Sequence, residues 1–546
     1  YAFGMIDDPY VKGEVEKNII KATSNGHVAC GVIGIGWIMH ALTDMHRSDI
    51  AWLIANTKTY PSWGYMTEKG ATTIWELWNG DTADPSMNSG NHVMLLGDLL
   101  SWMFEDMAGI RSNDGFKNIQ LAPDFSVDEI NHICAAYHSL YGDIVSQWEK
   151  QNGRLQWHVE IPANTRATLT LPDGSQRQMG SGSYDIDEKL PIISTNNSWY
   201  KTTDATKEEI AKHVVVNEFL YESAPFPQCH ASSIAETSDG DLVCTYFGGT
   251  HENHSDVCIW ASRKPKGAKE WSEPILVADG VFSDIAPDYR EACWNPVIYQ
   301  VPGGELRIYF KIGKNVASWK GYLSRSYDGG KTWTPREALS AYVNDADMQE
   351  SQPPYGPIKN KPILSKGRLI SPTSDERNGW KAYFEYSDDM GKTWKRTNYV
   401  KTAEGMRVIQ PSIIQLSDGR LEALCRTRSR FIGVTTSDDN GETWSDLQLI
   451  DTPNNNSGLD AVTLKDGTFV MACNDHPIEE NKSKGPRTPL SLLRSTDGIH
   501  WTHWITLEDS PIGQYSYPSI IQTRDGHLHI VYTWRRLRVK HVEIKP

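Results

Sequence analysis

The sequence has no C-x-x-C pair and no Cys/His spacing of a zinc site, although it contains eight cysteines. Cys30, Cys134, Cys229, Cys244, Cys258, Cys293, Cys425 and Cys473 are scattered, which reads as small buried hydrophobes rather than as metal ligands or a disulfide framework. No apolar run approaches the roughly 18 residues of a membrane-spanning helix, so no membrane partner is expected. Positive charge is also in deficit. There are 54 Lys and Arg against 69 Asp and Glu, a net charge of −15, which argues against a nucleic-acid backbone as partner. A phosphate-binding glycine loop and a nucleotide fingerprint are both missing, and no cofactor or metal is predicted. The chain starts at Tyr1 without Met and without a charged segment leading into an apolar one, so the N-terminus of a longer protein is expected to be missing.

What is present is aromatic and glycine-rich: 20 Trp, 23 Tyr and 43 Gly in 546 residues, a length that suits three or four domains. Val11, Val15, Ile19 and Ile20 recur at helical spacing, and 32–42 and 93–104 are apolar stretches too long for strands. Between them lie TYPSWGYMTEKGATTIWELWNG and MNSGNH, which read as loops. From about Asn118 alternation takes over, in IQLAP, HSLYGDIVSQWE, RLQWHVEIP and ATLTLPDGS, and suggests a β-sandwich. A polar connector follows. From about Val215 short strands continue to the end.

That last region repeats itself. Six phrases of strand, turn and strand recur: HASSIAETSDGDLVCTYF, WNPVIYQVPGGELRIYF, NKPILSKGRLISPTS, QPSIIQLSDGRLEALCRTR, LDAVTLKDGTFVMACND and YPSIIQTRDGHLHIVYTW. Their turns fall about 50 to 65 residues apart, the length of a four-stranded blade with its loops, and predict six blades of a β-propeller. Between the phrases runs a second repeat, S-x-D-x-G-x-T-W, at 326–333, 387–394 and 437–444, with a shortened copy at 495–501. An Asp capping its own turn, a Gly at positive φ and a Trp anchoring the turn account for these residue types.

These Asp-boxes and the six phrases resemble the sialidase superfamily, specifically its BNR/Asp-box branch, over 215–546. The resemblance implies an active site on the propeller axis with arginines on a carboxylate, a Tyr nucleophile and an acid/base carboxyl. Carried over by motif, the Tyr is Tyr517 in YPSIIQTRDG, with Tyr515 as runner-up; two arginines are Arg426 in LCRTR and Arg487 in PRTPLSLLRSTDG; the acid/base falls at Asp256 in THENHSDVCIW. Two positions depart from the pattern. His230 stands where the first arginine is expected, and Gln410 stands where the Glu partner of the Tyr is expected. Losing a guanidinium weakens carboxylate recognition, and Gln cannot accept a proton from Tyr as a carboxylate does. Trp294, Asn295, Lys359, Lys361, Asp460, Arg535 and Arg536 occupy matched repeat positions and are further candidates to line the axis. Lys540 and His541 read as closing the final blade.

Three activities follow from this set. One is an exo-glycosidase for a terminal acidic sugar, sialic or uronic, with Arg426 and Arg487 on the carboxylate, Tyr517 or water attacking and Asp256 as acid. The second is a rhamnose/glucuronate-type lyase in which His230 or Tyr517 removes the proton α to the carboxylate. The third is a propeller that binds acidic glycans without turning them over.

TYPSWGYMTEKGATTIWELWNG and the following Asn-His resemble bacterial α-L-rhamnosidases, with an (α/α) six-hairpin barrel followed by a β-sandwich, over about 1–190. In that family the Glu of GATTIWE is the general base, here Glu76, with Trp63, Trp75 and His92 as sugar contacts. The opposed acid lies on an upstream segment, so the barrel is expected to be incomplete and the chain by itself inactive on rhamnosides. The expected division is 1–110 partial barrel, 111–190 sandwich, 191–214 linker and 215–546 propeller, mainly β overall. The expected partner is an oligosaccharide or polysaccharide with an acidic sugar and rhamnose, met in the periplasm or outside the cell, and a missing N-terminal segment of the same protein is a further expected partner.

Overall fold

The computed structural model describes residues 4–28, 30–86, 88–92, 97–151, 153–190, 212–342, 355–377, 379–478, 482–510 and 514–546. Most of the expected linker therefore lies outside the described residues. The chain divides into two compact units, one built from Tyr1–Lys201 and Ser510–Ile512 and the other from Thr202–Asp509 and Gly513–Pro546.

The first unit opens with helices. α1 (Pro9–Thr23) carries the predicted apolar spacing and starts at Asp8, whose side chain accepts from the Tyr10 and Val11 amides. α2 (Val32–Asp44) follows the second apolar stretch, and α3 (Ser48–Asn56) packs beside it. α4 (Trp63–Glu68) lies inside the segment expected to be a loop: Ser62 caps it by accepting from the Tyr65 amide at 3.0 Å, a start signal in Pro-Ser-Trp that the surrounding Gly and Thr obscured. α5 (Asp98–Trp102) runs on into a π-helical turn, Met103–Met107. Two four-stranded sheets complete the unit. One orders Ile110–Arg111, Asn118–Leu121, Arg166–Thr170 and Gln176–Met179; the other orders His132–Ser139, Gly142–Gln151, Arg154–Ile161 and Gly182–Lys189. HSLYGDIVSQWE is thus a hairpin turning at 140–141 rather than one strand. Leu121 and Leu169 from the first sheet and Trp148 and Trp157 from the second enter one apolar core, with Phe125 edge-on to both tryptophans.

Among the described residues the second unit forms six consecutive four-stranded antiparallel sheets, spanning 228–278, 293–338, 363–396, 408–453, 460–508 and 515–544. The fourth strand of the last sheet is Val214–Phe219, paired to Arg538–Ile544. Lys540 and His541 therefore lie on the third strand of that sheet, and the edge is covered by a strand from the start of the unit. This pairing joins the two ends of a repeat whose terminal strand would otherwise present unpaired backbone. Apolar side chains fill the spaces between successive sheets. Phe384 and Ile370 of the third meet Ile413 and Ala423 of the fourth, and Leu424 and Val434 of the fourth meet Phe469 and Met471 of the fifth. Each such buried side chain contributes about 1.5–3 kcal/mol.

The Asp-boxes turn as their composition requires. Asp389 accepts from the Lys392 and Thr393 amides at 3.0 and 2.9 Å and from the Thr393 hydroxyl at 2.7 Å, while Gly391 takes a φ of +87°. Trp444 of the next box stacks on Phe384 with ring centroids 3.7 Å apart, tying one sheet to its neighbour.

Candidate active site

The first strand of four of the six sheets breaks register against the second at the same place: His230/Ser233, Trp294/Val297, Ile409/Ser412 and Ser516/Ser519. Within each break one non-glycine residue has positive φ: Ala231 at 57°, Asn295 at 42°, Gln410 at 55° and Tyr517 at 55°. Such a conformation costs an L-residue about 1–2 kcal/mol and recurs where a side chain must be re-aimed. In three of the four, the next residue is Pro296, Pro411 or Pro518, which has no N–H to give to the ladder, so the bulge falls where pairing is already lost. An X-Pro pair occurs in four of the six phrases, and in three of those four the residue before the proline takes the strained positive φ.

The bulges bring Tyr517, Gln410 and His230 together, with Arg426 from the neighbouring strand. Arg426 Nη1 donates to the Tyr517 phenol oxygen at 2.8 Å and to Gln410 Oε1 at 3.1 Å, and Gln410 Nε2 donates to the same phenol oxygen at 3.2 Å. The phenol oxygen thus accepts two hydrogen bonds. Asn456 Oδ1 holds Arg426 Nε at 3.0 Å, which fixes the guanidinium plane. The Arg487 guanidinium stands over the Tyr517 ring, 5.3 Å from its centroid, and bonds Gln514 at 3.0 Å.

The His230 ring lies 4.2 Å from the Tyr517 ring, centroid to centroid. Its Nδ1 meets Thr533 Oγ1 at 2.8 Å, whereas its Nε2 is buried without a hydrogen-bond partner. Burial first, then the positive charges of Arg536, Arg487, Arg426 and Lys359, hold this imidazole well below its ordinary pKa, so it is neutral near pH 7. Two carboxylates that the motif reading did not name complete the electrostatics. Glu252 pairs with Arg536 at 2.8 Å, and Glu376 Oε1 accepts from Gln410 Nε2 at 3.5 Å. Burial raises the Glu376 carboxyl above its ordinary value, against the pull of Arg426 and the Gln410 hydrogen bond.

Other expected residues are placed elsewhere. Asp256 bonds the Thr250 amide and hydroxyl at 3.0 and 2.6 Å and His254 at 2.7 Å, and lines an open cleft of about 340 Å³ with Trp260, Leu276 and Arg290. Burial raises its carboxyl, but the Thr250 and His254 hydrogen bonds outweigh that and hold it below the ordinary value, the opposite of what a proton donor needs. Lys359 reaches no open site: its ammonium donates to the Leu459 carbonyl at 2.7 Å, to Asn360 Oδ1 at 2.9 Å and to the Pro518 carbonyl. Two of its three donors reach distant segments and the third its neighbour Asn360, and burial lowers its pKa to about 7. Asp460 is equally internal, accepting from Ser412 Oγ at 2.7 Å, Lys361 Nζ at 2.8 Å and the Ile520 amide at 2.9 Å. Trp294 donates to the Gly313 carbonyl and packs between Phe247 and Trp319, a core role and not a sugar platform. Tyr515 is fully buried, its hydroxyl accepting from Arg535 Nε at 3.2 Å, and Arg535 lies over Trp534. Tyr517, 8% exposed, is the tyrosine that meets Arg426 and Arg487.

In the first unit Glu76 accepts from the Ser89 amide at 2.9 Å and pairs with His92 Nδ1 at 3.3 Å. The pair is about 30% exposed, side chain against side chain. Trp63 is buried edge-on against Trp78 and serves as core.

Six sheets punctuated by Asp-boxes, with an arginine–tyrosine cluster at the bulges of their first strands, define a BNR-repeat protein. The BNR repeat-like domain matches residues 240–530, more than half of the sequence, and the chain belongs to that family. Ahead of it, residues 1–107 match the bacterial α-L-rhamnosidase six-hairpin glycosidase domain and 109–184 the bacterial α-L-rhamnosidase C-terminal domain, so the chain joins the two families that its motifs resemble. An α-L-rhamnosidase of Streptomyces avermitilis is 32% identical over 27% of this chain and 15% of its own length. A sialidase of Micromonospora viridifaciens is 25% identical over 56% of this chain and 50% of its own length. The chain thus spans half or less of these curated relatives. Among solved structures, a Hadza microbial sialidase covers 68% of this chain and 74% of its own at 17% identity, with a TM-score of 0.50, a likeness of fold.

Proposed function

We propose that this protein is a glycan-degrading glycosidase whose six sheets are the blades of a six-bladed propeller, and that the propeller releases a terminal acidic sugar of the sialic or uronic type. The observation that carries the reading is the convergence of Arg426 and Arg487 on Tyr517, one on its hydroxyl and one on its ring. Two guanidiniums beside one nucleophile suit a substrate that places a carboxylate next to its reacting carbon. Tyr517 attacks the anomeric carbon, and its proton passes to the neutral, unpartnered Nε2 of His230, which takes the part a carboxylate at position 410 would otherwise play. Gln410 and Asn456 orient the phenol and the guanidinium. The domains are 1–110 as part of an α/α barrel, 111–190 as a sandwich, 191–214 as linker and 215–546 as propeller. A polymeric glycan bearing an acidic sugar and rhamnose places such an enzyme in the periplasm or outside the cell, and Glu76 is the base that a complete rhamnosidase barrel would use, this chain by itself being inactive on rhamnosides.

The test is product analysis on rhamnose- and uronate-containing oligosaccharides and sialosides. Release of an intact acidic sugar by the wild type, lost in Tyr517→Phe and His230→Ala, supports the reading; full activity in both variants sinks the site.

A second reading has its own observation. A neutral imidazole with a free, buried acceptor next to a cationic cluster is also what abstraction of a proton α to a neutralised carboxylate requires, and would make the propeller a uronate lyase. An unsaturated product absorbing in the ultraviolet, instead of an intact sugar, would select it.

A further inference from the structure

The glycosidase reading leaves one chemical task without an agent. The oxygen that leaves the anomeric carbon needs a proton, and the residue that motif correspondence assigns to this, Asp256, is tied to Thr250 and His254 beside Trp260, Leu276 and Arg290. Glu376 is the carboxyl that meets the cluster. It follows directly on the strand Arg368–Asp375, and its neighbours hold it rigidly: Arg377 bonds Asp375 through Nε and Nη2, both at 3.0 Å, and Tyr399 donates to the same carboxylate at 2.7 Å. From that anchored loop Glu376 reaches Gln410 Nε2 at 3.5 Å, and the same nitrogen lies 3.2 Å from the Tyr517 oxygen. One amide group therefore separates the carboxyl from the nucleophile. The two hydrogens of that amide serve the two neighbours, which gives Gln410 a reason to be an amide: a carboxylate there would repel Glu376.

We infer that Glu376 is the acid of this active site, giving its proton to the glycosidic oxygen as the bond to the anomeric carbon breaks. The inference rests on the glycosidase reading. In the first step Tyr517 bonds the anomeric carbon, its proton moves to His230 Nε2, the C–O bond to the leaving group breaks and Glu376 protonates that oxygen. In the second, the Glu376 carboxylate takes a proton from water, the water oxygen bonds the anomeric carbon, and Tyr517 leaves and recovers its proton from His230. Both residues return to their starting states with one water consumed. Burial keeps Glu376 inclined to the protonated form, whereas Asp256 is held ionised. The neighbouring charge of Glu252 pushes Glu376 the same way.

The experiment compares a methyl and a 4-nitrophenyl glycoside of the acidic sugar that the wild type releases. A nitrophenolate leaves without help, so E376Q should slow the methyl glycoside by about 10²–10⁴-fold and the nitrophenyl glycoside by less than about tenfold, with loss of the basic limb of the kcat/KM profile. If E376Q does not fold, Glu376→Asp is read for the same imbalance between the two glycosides. Equal treatment of both substrates by these variants and the wild type overturns the assignment alone, as does the imbalance arising in Asp256→Asn instead. A wild type that releases no acidic sugar from either glycoside type, for sialic and uronic sugars alike, overturns the glycosidase reading and the assignment with it.

Discussion

Arg426 and Tyr517 are 91 positions apart in the chain, yet Arg426 Nη1 donates to the Tyr517 hydroxyl at 2.8 Å. Two different sheets supply the pair, and each residue sits at or beside a register break, so neither can be moved without disturbing the other.

Removing the hydroxyl isolates its chemical use. Tyr517→Phe should keep the fold and the ring contact with His230 while lowering kcat by about 10²-fold or more, measured as release of the acidic sugar.

The guanidinium at 426 is a shape as well as a charge. Arg426→Lys loses the fork that spans Tyr517, Gln410 and Asn456, and KM should rise about 10- to 100-fold with a smaller fall in kcat. Unchanged KM would place the substrate carboxylate elsewhere.

Acid should weaken the second unit through two histidines. His230 is held well below 6.5 in the folded chain, and His529 is lowered to about 3, chiefly by burial and then by the adjacent His541. From pH 6.5 downward the unfolded chain binds protons that these rings refuse, so stability falls as pH falls through that window. Each histidine accounts for about 1.4 kcal/mol per pH unit below 6.5, and His529→Asn should flatten that slope in calorimetric melts between about pH 7 and 5.

Asp460 is a joint between sheets. Asp460→Ala leaves the Lys361 ammonium, the Ser412 hydroxyl and the Ile520 amide without their acceptor and should cost about 3–5 kcal/mol in urea denaturation. A variant of wild-type stability with altered substrate binding would return Asp460 to the site.

The Asp-box carboxylates set a lower acid limit. Asp389 is lowered to about 2: burial raises it, and the Thr393, Ser387 and Lys392 hydrogen bonds more than reverse that. Its contribution is present above about pH 4 and is lost as pH falls toward 2. Asp389→Ala should destabilise by about 1–3 kcal/mol at pH 7 and much less at pH 2.5, read by circular dichroism melts.

Local chemistry was legible in the sequence wherever neighbours in the chain satisfy one another. The Asp-boxes are such a case, since Asp389 bonds residues three and four positions on. The six repeated phrases and the apolar spacing of α1 are others. Ser62 capping α4 was legible in principle and hidden by the Gly- and Thr-rich segment around it.

What no stretch of sequence carries is which polar side chain ends up facing which. Lys361 stands before its proline as Gln410 and Tyr517 stand before theirs, with Lys359 two residues earlier and Asp460 opening the corresponding strand of another sheet, and pattern alone treats them alike. Packing separated them, because the Lys359 ammonium and the Asp460 carboxylate found enough partners on neighbouring sheets to satisfy every polar atom. Glu376 joined the site for the converse reason, its rigid loop meeting Gln410 across 34 residues of chain. The sequence by itself determined the families, the repeat and the turns, which depend on short-range hydrogen bonds and periodicity. Only the tertiary structure decided the membership of the site, because burial and charge pairing between sheets depend on where distant strands are brought together.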